Sequence, residues 1–209
     1  KILAREIWQP VQVDILRKYL GFGRRVTVLP KSGIELLIQN NSSKLRAVDA
    51  ASFIINKNGN VDLHTGSYCI YFESKNSSLR INSPLSTVKL SSESPFACMV
   101  GVTTNGGLKI INLLGAIILK KEESSEEIRP GQLIFSLPQG FSRKMDVELS
   151  TLMVTSNLLT SFDTPPVFYK KLRQQAMLQA LRTRKRFKTI IGDVKDRENF
   201  QIKVLQKEK

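Results

Sequence analysis

Ser86-Thr87-Val88-Lys89 has the Ser-x-x-Lys spacing at which a serine nucleophile meets a lysine base, and Lys31-Ser32-Gly33 is like the lysine-led triplet that completes some serine acyl-transfer sites. That chemistry needs the serine at the start of a helix and the triplet last in the chain. Here the triplet comes first, and Ser86 sits in a strand-like run, so the pair reads as chance. His64 is the one histidine, between Leu63 and Thr65, with no acid or cysteine at motif spacing; it reads as a structural or exposed side chain and not as a general base. Cys69 and Cys98 permit one disulfide at most and read as two buried thiols, because both stand among apolar residues. Neither belongs to a Cys-x-x-Cys or Cys/His cluster, so no metal is expected. The glycines form no phosphate-cradling loop, and no cofactor is expected. The expectation is a protein that is not an enzyme.

Charge is the more informative signal. The chain has 32 Lys and Arg against 18 Asp and Glu over 209 residues, a net charge of +14. The excess lies at the ends. Residues 1–31 carry seven cations and two acids, whereas 32–165 carry twelve of each. Residues 166–191 carry Lys170, Lys171, Arg173, Arg182, Arg184, Lys185, Arg186 and Lys188 with no acid at all. Those eight side chains are the candidate partner-binding residues, since cations without i,i+4 acids repel one another until an anionic partner relieves them. An acidic protein subunit, an anionic lipid surface and nucleic acid would each do so. Glu122, Glu123, Glu126 and Glu127 form a solvated acidic tip that could meet a basic partner.

The elements that must carry these residues are mostly strands. From Gly33 onward, apolar runs of five to eight residues are punctuated by Asn, Gly, Ser and Pro clusters about every ten residues, the rhythm of an all-β sandwich or of stacked short strands. Asn58-Gly59 predicts a type I′ hairpin, and Asn105-Gly106-Gly107 another turn. Val26–Leu29 predicts a short strand; residues 11–20 fit either a helical stripe or a strand. Between Leu108 and Gly140 the pattern is strand, bend at Gly115, strand, charged hairpin, a turn at Pro130-Gly131, and strand. Residues 141–165 are transitional, and Phe141 to Val154 fits a further strand or a short helix.

Asp163-Thr164-Pro165-Pro166 predicts a helix start, and Gly192 its end. Phe168, Leu172, Met177 and Leu181, continued by Arg184, Phe187 or Lys188, and Ile191, predict the packed stripe of that basic helix, with cations over most of the rest. Phe200, Ile202 and Val204 alternate as an edge strand or an extended tail. The predicted organisation is a basic segment 1–31, a β-rich domain 32–165, and a basic helix with its tail, 166–209.

The succession Gly59-x-Val61-x-Leu63-x-x-Gly66, Leu79-x-Ile81-x-Ser83-Pro84, Val88 with Phe96-x-x-x-Val100, Leu108-x-Ile110-x-x-Leu113-x-Gly115-x-Ile117, and Pro130-Gly131-Gln132 resembles the FecR-type domain over roughly residues 55–140. Many members carry Gly-Thr before the Phe, where this chain has Ser91 to Pro95. The resemblance implies a mainly-β, FecR-like, non-enzymatic module of the periplasm or cell envelope. It does not carry over the signalling role of the iron-dicitrate regulator. The expected function is therefore a non-catalytic extracytoplasmic scaffold, oligomeric or complexed, docked by its basic ends among protein subunits or against an acidic envelope surface. The alternative is a cytoplasmic basic protein whose C-terminal helix contacts nucleic-acid phosphate.

Overall fold

The computed structural model of the protein describes residues 2–4, 7–9, 21–38, 43–186, 190–196 and 199–204, with side chains over 21–38 and 43–182. β1 (Ile2–Ala4) and β2 (Ile7–Gln9) pair as a small hairpin. β3 (Arg25–Thr27) and β4 (Gly33–Ile38) both pair antiparallel with β5 (Ser43–Ile55), which runs against β6 (Val61–Phe72). The strands that follow are shorter: β7 (Ser77–Ser83), β8 (Ser86–Ser92), β9 (Phe96–Val102), β10 (Leu108–Leu114), β11 (Ile117–Lys121), β12 (Ser124–Ile128), β13 (Gln132–Leu137), β14 (Gly140–Phe141) and β15 (Met145–Asp146). Then come α1 (Leu149–Thr155), α2 (Asn157–Thr160), α3 (Tyr169–Arg186) and a hairpin of β16 (Ile190–Asp196) with β17 (Asn199–Val204).

β5 and β6 are long enough to serve two layers, and a corner at mid-length lets them do so. Asp49 and Ala50 take positive φ (44° and 53°) in β5, and Gly66 takes φ 100° in β6. A β-carbon on Gly66 would stand 2.6 Å from the Ala51 Cα, so the corner closes only on glycine. On one side of the corner, β4, residues 43–48, residues 67–72, β9, β10 and β13 pair in that order. On the other, β3, residues 52–55, residues 61–62, β7, β8, β11 and β12 pair in turn. The chain crosses between layers again at Gly115 (φ 73°), where a β-carbon would meet the Pro95 carbonyl oxygen at 2.6 Å.

The inward faces of the two layers share one core that includes Leu45, Phe53, Ile70, Phe72, Ile81, Leu90, Phe96, Ile110 and Leu119. Phe72 and Phe96 stack at 5.0 Å within it. The far face of the first layer is apolar too, through Cys69, Tyr71, Ala97, Met99, Ile111 and Leu113, and the three helices cover it. β9 is therefore buried on both faces and reads as a continuous apolar run. Among the described residues, the far face of the second layer has no cover, and it alternates to polar residues. The mainly-β, sandwich-like class with a C-terminal helix is the observed architecture.

Several local expectations are corrected. Neither Asn58 nor Asn105 takes positive φ; Gly59 (78°) and Gly106 (76°) do. In both hairpins the glycine N–H donates to the residue three before it, Asn56 or Thr103, the arrangement of a type I turn followed by a left-handed glycine, not type I′. The charged segment after β11 is more than a turn, since β12 pairs along β11 with Ile128 buried at its end. α3 starts at Tyr169, whose N–H bonds the Pro166 carbonyl, and it ends at Arg186; Ile191 and Gly192 lie in β16. Residues 11–20, Phe187 and Lys188 lie outside the described residues.

Candidate docking interface

α3 is placed by three apolar contacts and one amide. Phe168, Leu172 and Ala176 pack on the covered sheet face, with Phe168 5.1 Å from the Tyr71 ring. Gln179 donates from Nε2 to the Val147 carbonyl (2.7 Å) and accepts the Leu149 N–H at Oε1 (2.9 Å), so it holds α3 to the first turn of α1. A second clamp secures the approach to α3. Arg46 is buried on β5; its Nε donates to Glu35 Oε2, its Nη2 donates to the Thr164 carbonyl (3.0 Å), and its guanidinium lies 4.4 Å from the centre of the Phe162 ring. Burial alone would raise the Glu35 carboxyl, but the hydrogen bond and charge of Arg46, with Lys44 beside them, hold it below its ordinary value.

With α3 fixed in this way, Lys170, Lys171, Arg173 and Arg182 are exposed, and none of them has an ion pair among the described residues. Arg184, Lys185 and Arg186 belong to the last turn of α3, and their side chains lie outside those described. The predicted packed stripe is only half right. Phe168 and Leu172 pack, but Met177 and Leu181 are 62% and 55% exposed, and the packed positions are instead Ala176 and Gln179.

The candidates for chemistry are kept apart. Ser86 points inward and shares a hydrogen bond with Ser136 (2.7 Å) across the two layers, whereas Lys89, three residues on, is exposed on the opposite face. His64 is half-buried with Nε2 unpartnered; burial, and then Arg25, depress its imidazole against the smaller pull of Asp62. Cys69 pairs in register with Met99, and Cys98 with Ile70, so the two thiols face different cores and remain unbridged. Burial pushes the Cys69 thiol up to about 12 and raises Cys98 as well. No group of three or more metal-ligating side chains occurs among the described residues.

Of the two hollows described, one beneath Pro166 and Phe168 has ≈ 10 Å³, room for a single water. The other is an open groove of ≈ 610 Å³ bordered by Arg80, Ser83, Leu85, Thr87, Lys121 and Glu122. Lys121 does not present a free amine there, because its ammonium donates to the Leu137 and Pro138 carbonyls.

Sequence reasoning missed one charged feature. Residues 32–165 are balanced in number but not in space. Arg80, Lys89 and Lys120 stand in register across β7, β8 and β11 on the uncovered face, all exposed, while Glu122 and Glu123 sit at the β11–β12 turn. Strand alternation through 78–91 contains the signal, since Arg80 and Lys89 occupy outward positions between buried Leu79, Ile81, Val88 and Leu90. No helix among the described residues is long and apolar enough to cross a membrane.

No family model matches the chain, and no curated protein matches it. Among solved structures it is similar to two crystal structures of a "putative anti-sigma factor" from Parabacteroides distasonis ATCC 8503, at 1.65 Å and 2.50 Å resolution. The likeness covers 63% of this chain for the first and 87% for the second, each at 10% identity and a TM-score of 0.47. This chain spans 65% of the first neighbour's chain and 99% of the second's.

Proposed function

We propose that this protein is a non-catalytic interaction module of the cell envelope, a rigid β-sandwich that docks onto an acidic protein subunit of a larger assembly through the outer side of α3. The observation that carries the reading is the exposed quartet Lys170, Lys171, Arg173 and Arg182 on a helix with no acidic residue, held in place by its opposite side. Mutual repulsion of unpaired cations favours an anionic partner. Two further features favour scaffold over enzyme: Ser86 and Lys89 point to opposite faces, and His64 Nε2 has no hydrogen-bond partner among the described residues. The resemblance of residues 55–140 to FecR-type modules supports an extracytoplasmic setting.

The test is photo-crosslinking in cells from a probe amino acid placed at Gln174, an exposed position of α3 between Lys171 and Leu178. A defined protein adduct is expected, and it should be lost when Lys170, Lys171, Arg173 and Arg182 are all changed to Gln. An adduct that survives this change rejects docking by charge. Retardation of nucleic acid at physiological salt, lost in the same variant, would instead favour the phosphate-binding alternative.

A further inference from the structure

α3 is apolar on two opposite sides, and the sandwich needs only one of them. Leu172 and Ala176 face the sheet, whereas Met177, Leu178 and Leu181 are 62%, 46% and 55% exposed. At about 100° per residue, Leu181 projects diametrically opposite Leu172, with Met177 and Leu178 roughly 40° and 60° to either side of it. Over residues 177–181 the exposed apolar stripe is thus about 100° wide, and the exposed Lys170 and Gln174 continue the same arc toward the start of α3. Arg173 borders it on the Met177 side; Lys171 and Arg182 border it on the Leu178 side. Single exposed apolar side chains need no explanation, but three within five residues, framed by cations without an ion pair among the described residues, form a patch.

We propose that this stripe is the seat of an amphipathic helix from the protein partner, with an apolar ridge that packs on Met177, Leu178 and Leu181 and Asp or Glu residues along both margins. The proposal rests on the docking reading above and specifies what α3 receives. Width and chemistry select this occupant. A narrow apolar seam flanked by charge on both sides is the pattern of helix-on-helix packing, in which flanking charges choose the partner. A helix lying in a bilayer surface uses a broader apolar face with Trp or Phe in it, and the described outer side of α3 has no exposed aromatic. Met177 suits such a seat because its unbranched thioether adapts to a facing surface.

The experiment uses the full chain and a synthetic three-heptad peptide with Leu at a and d and Glu at e and g. Binding is followed by fluorescence anisotropy and peptide helicity by circular dichroism. Wild-type protein is expected to bind the peptide and raise its helicity. M177Q/L178Q/L181Q should weaken binding at least about tenfold with an unchanged thermal melt, because all three side chains are exposed. K171Q/R173Q/R182Q should weaken it as well. If the cation variant weakens binding but the apolar one does not, the helix seat is rejected and docking by charge stands. If neither variant changes binding, or the peptide does not bind, both readings fall. Sedimentation with phosphatidylglycerol vesicles, lost in the apolar variant while the peptide does not bind, would make this face a membrane contact and overturn the proposal.

Discussion

The Gln179 carboxamide, its Nε2 foremost, occupies the space that a β-carbon on Gly131 would need, so a side chain at 131 would push that amide out of its place between the β12–β13 turn and the third turn of α3. Gly131 also takes φ 84°, and its N–H donates to the Asn112 carbonyl (2.8 Å). α3 is in this way keyed to the strand corner of the sandwich.

This relationship predicts a coupled pair of substitutions. G131A should destabilise the protein both by left-handed backbone strain, about 1–2 kcal/mol, and by pushing the Gln179 amide from Val147 and Leu149. Q179A alone should cost about 1–3 kcal/mol, since it leaves the Leu149 N–H and the Val147 carbonyl without that partner. In the double variant the steric part disappears, so the two costs should sum to more than the measured whole. Urea denaturation of the four proteins gives the cycle, and strict additivity would show that the two residues do not meet.

Asn112 carries a second prediction. It is fully buried in a bulge of β10, where its Nδ2 donates to the carbonyls of Gly115 (2.6 Å) and Ile128 (2.8 Å) and its Oδ1 accepts the Leu114 N–H (3.1 Å). One side chain thus satisfies the backbone where the chain changes layers. N112L should cost roughly 3 kcal/mol or more, because it strands two acceptors and a donor in the core. N112D should cost still more, as a carboxylate would face two carbonyl oxygens. A denaturation midpoint within error of wild type for N112L would refute this role.

The sequence makes some of this legible and conceals the rest for identifiable reasons. Gly115 and Gly131 stand out because each interrupts an apolar or turn pattern where only a special backbone fits. Their partners, Pro95 and Gln179, do not stand out, because nothing local marks a contact between distant segments. The strands are readable from alternation, including 79–81 and 86–90, where buried and exposed residues trade places at each step. β12 is hidden because Ser124–Glu127 has almost no apolar residue before Ile128; it is held by β11 and by edge contacts such as Lys144–Glu126 (2.8 Å). On α3 the small Ala176 and the polar Gln179 take the inward positions, so size and hydrophobicity point to Met177 and Leu181, which face away. Arg46 looks out of place in an apolar strand until Glu35, Phe162 and Thr164 are brought around it.

Acid titration provides a third prediction. A carboxyl held below its unfolded value by its partners adds stability that is complete above the ordinary value of 4.5 and is lost as pH falls through the lower folded value. Wild-type stability should therefore decline through that interval. E35Q should be less stable at pH 7, because the Arg46 side chain, 5% exposed, then keeps its charge without a carboxylate. The same variant should also show a shallower decline below about pH 4.5. Urea midpoints measured from pH 7 down to about pH 3 compare the two slopes, and parallel slopes would remove Glu35 from the acid response.

The cation row on the uncovered face gives the last prediction. Lys89 stands between Arg80 and Lys120 in cross-strand register, and all three are exposed without an ion pair among the described residues. Neighbouring strands lie about 4.8 Å apart, so the row places like charges directly opposite one another, which costs stability. Replacing the central cation should release that cost in two steps. K89Q removes two repulsions; K89E removes them and adds two attractions, for a gain of about 0.5–1 kcal/mol at low ionic strength. Screening should erase most of the difference between K89E and wild type in 1 M salt, where charges interact over only about 3 Å. Thermal denaturation at low and high salt decides the matter. A K89E protein no more stable than K89Q in dilute buffer would mean that the three side chains splay apart and do not act as a row.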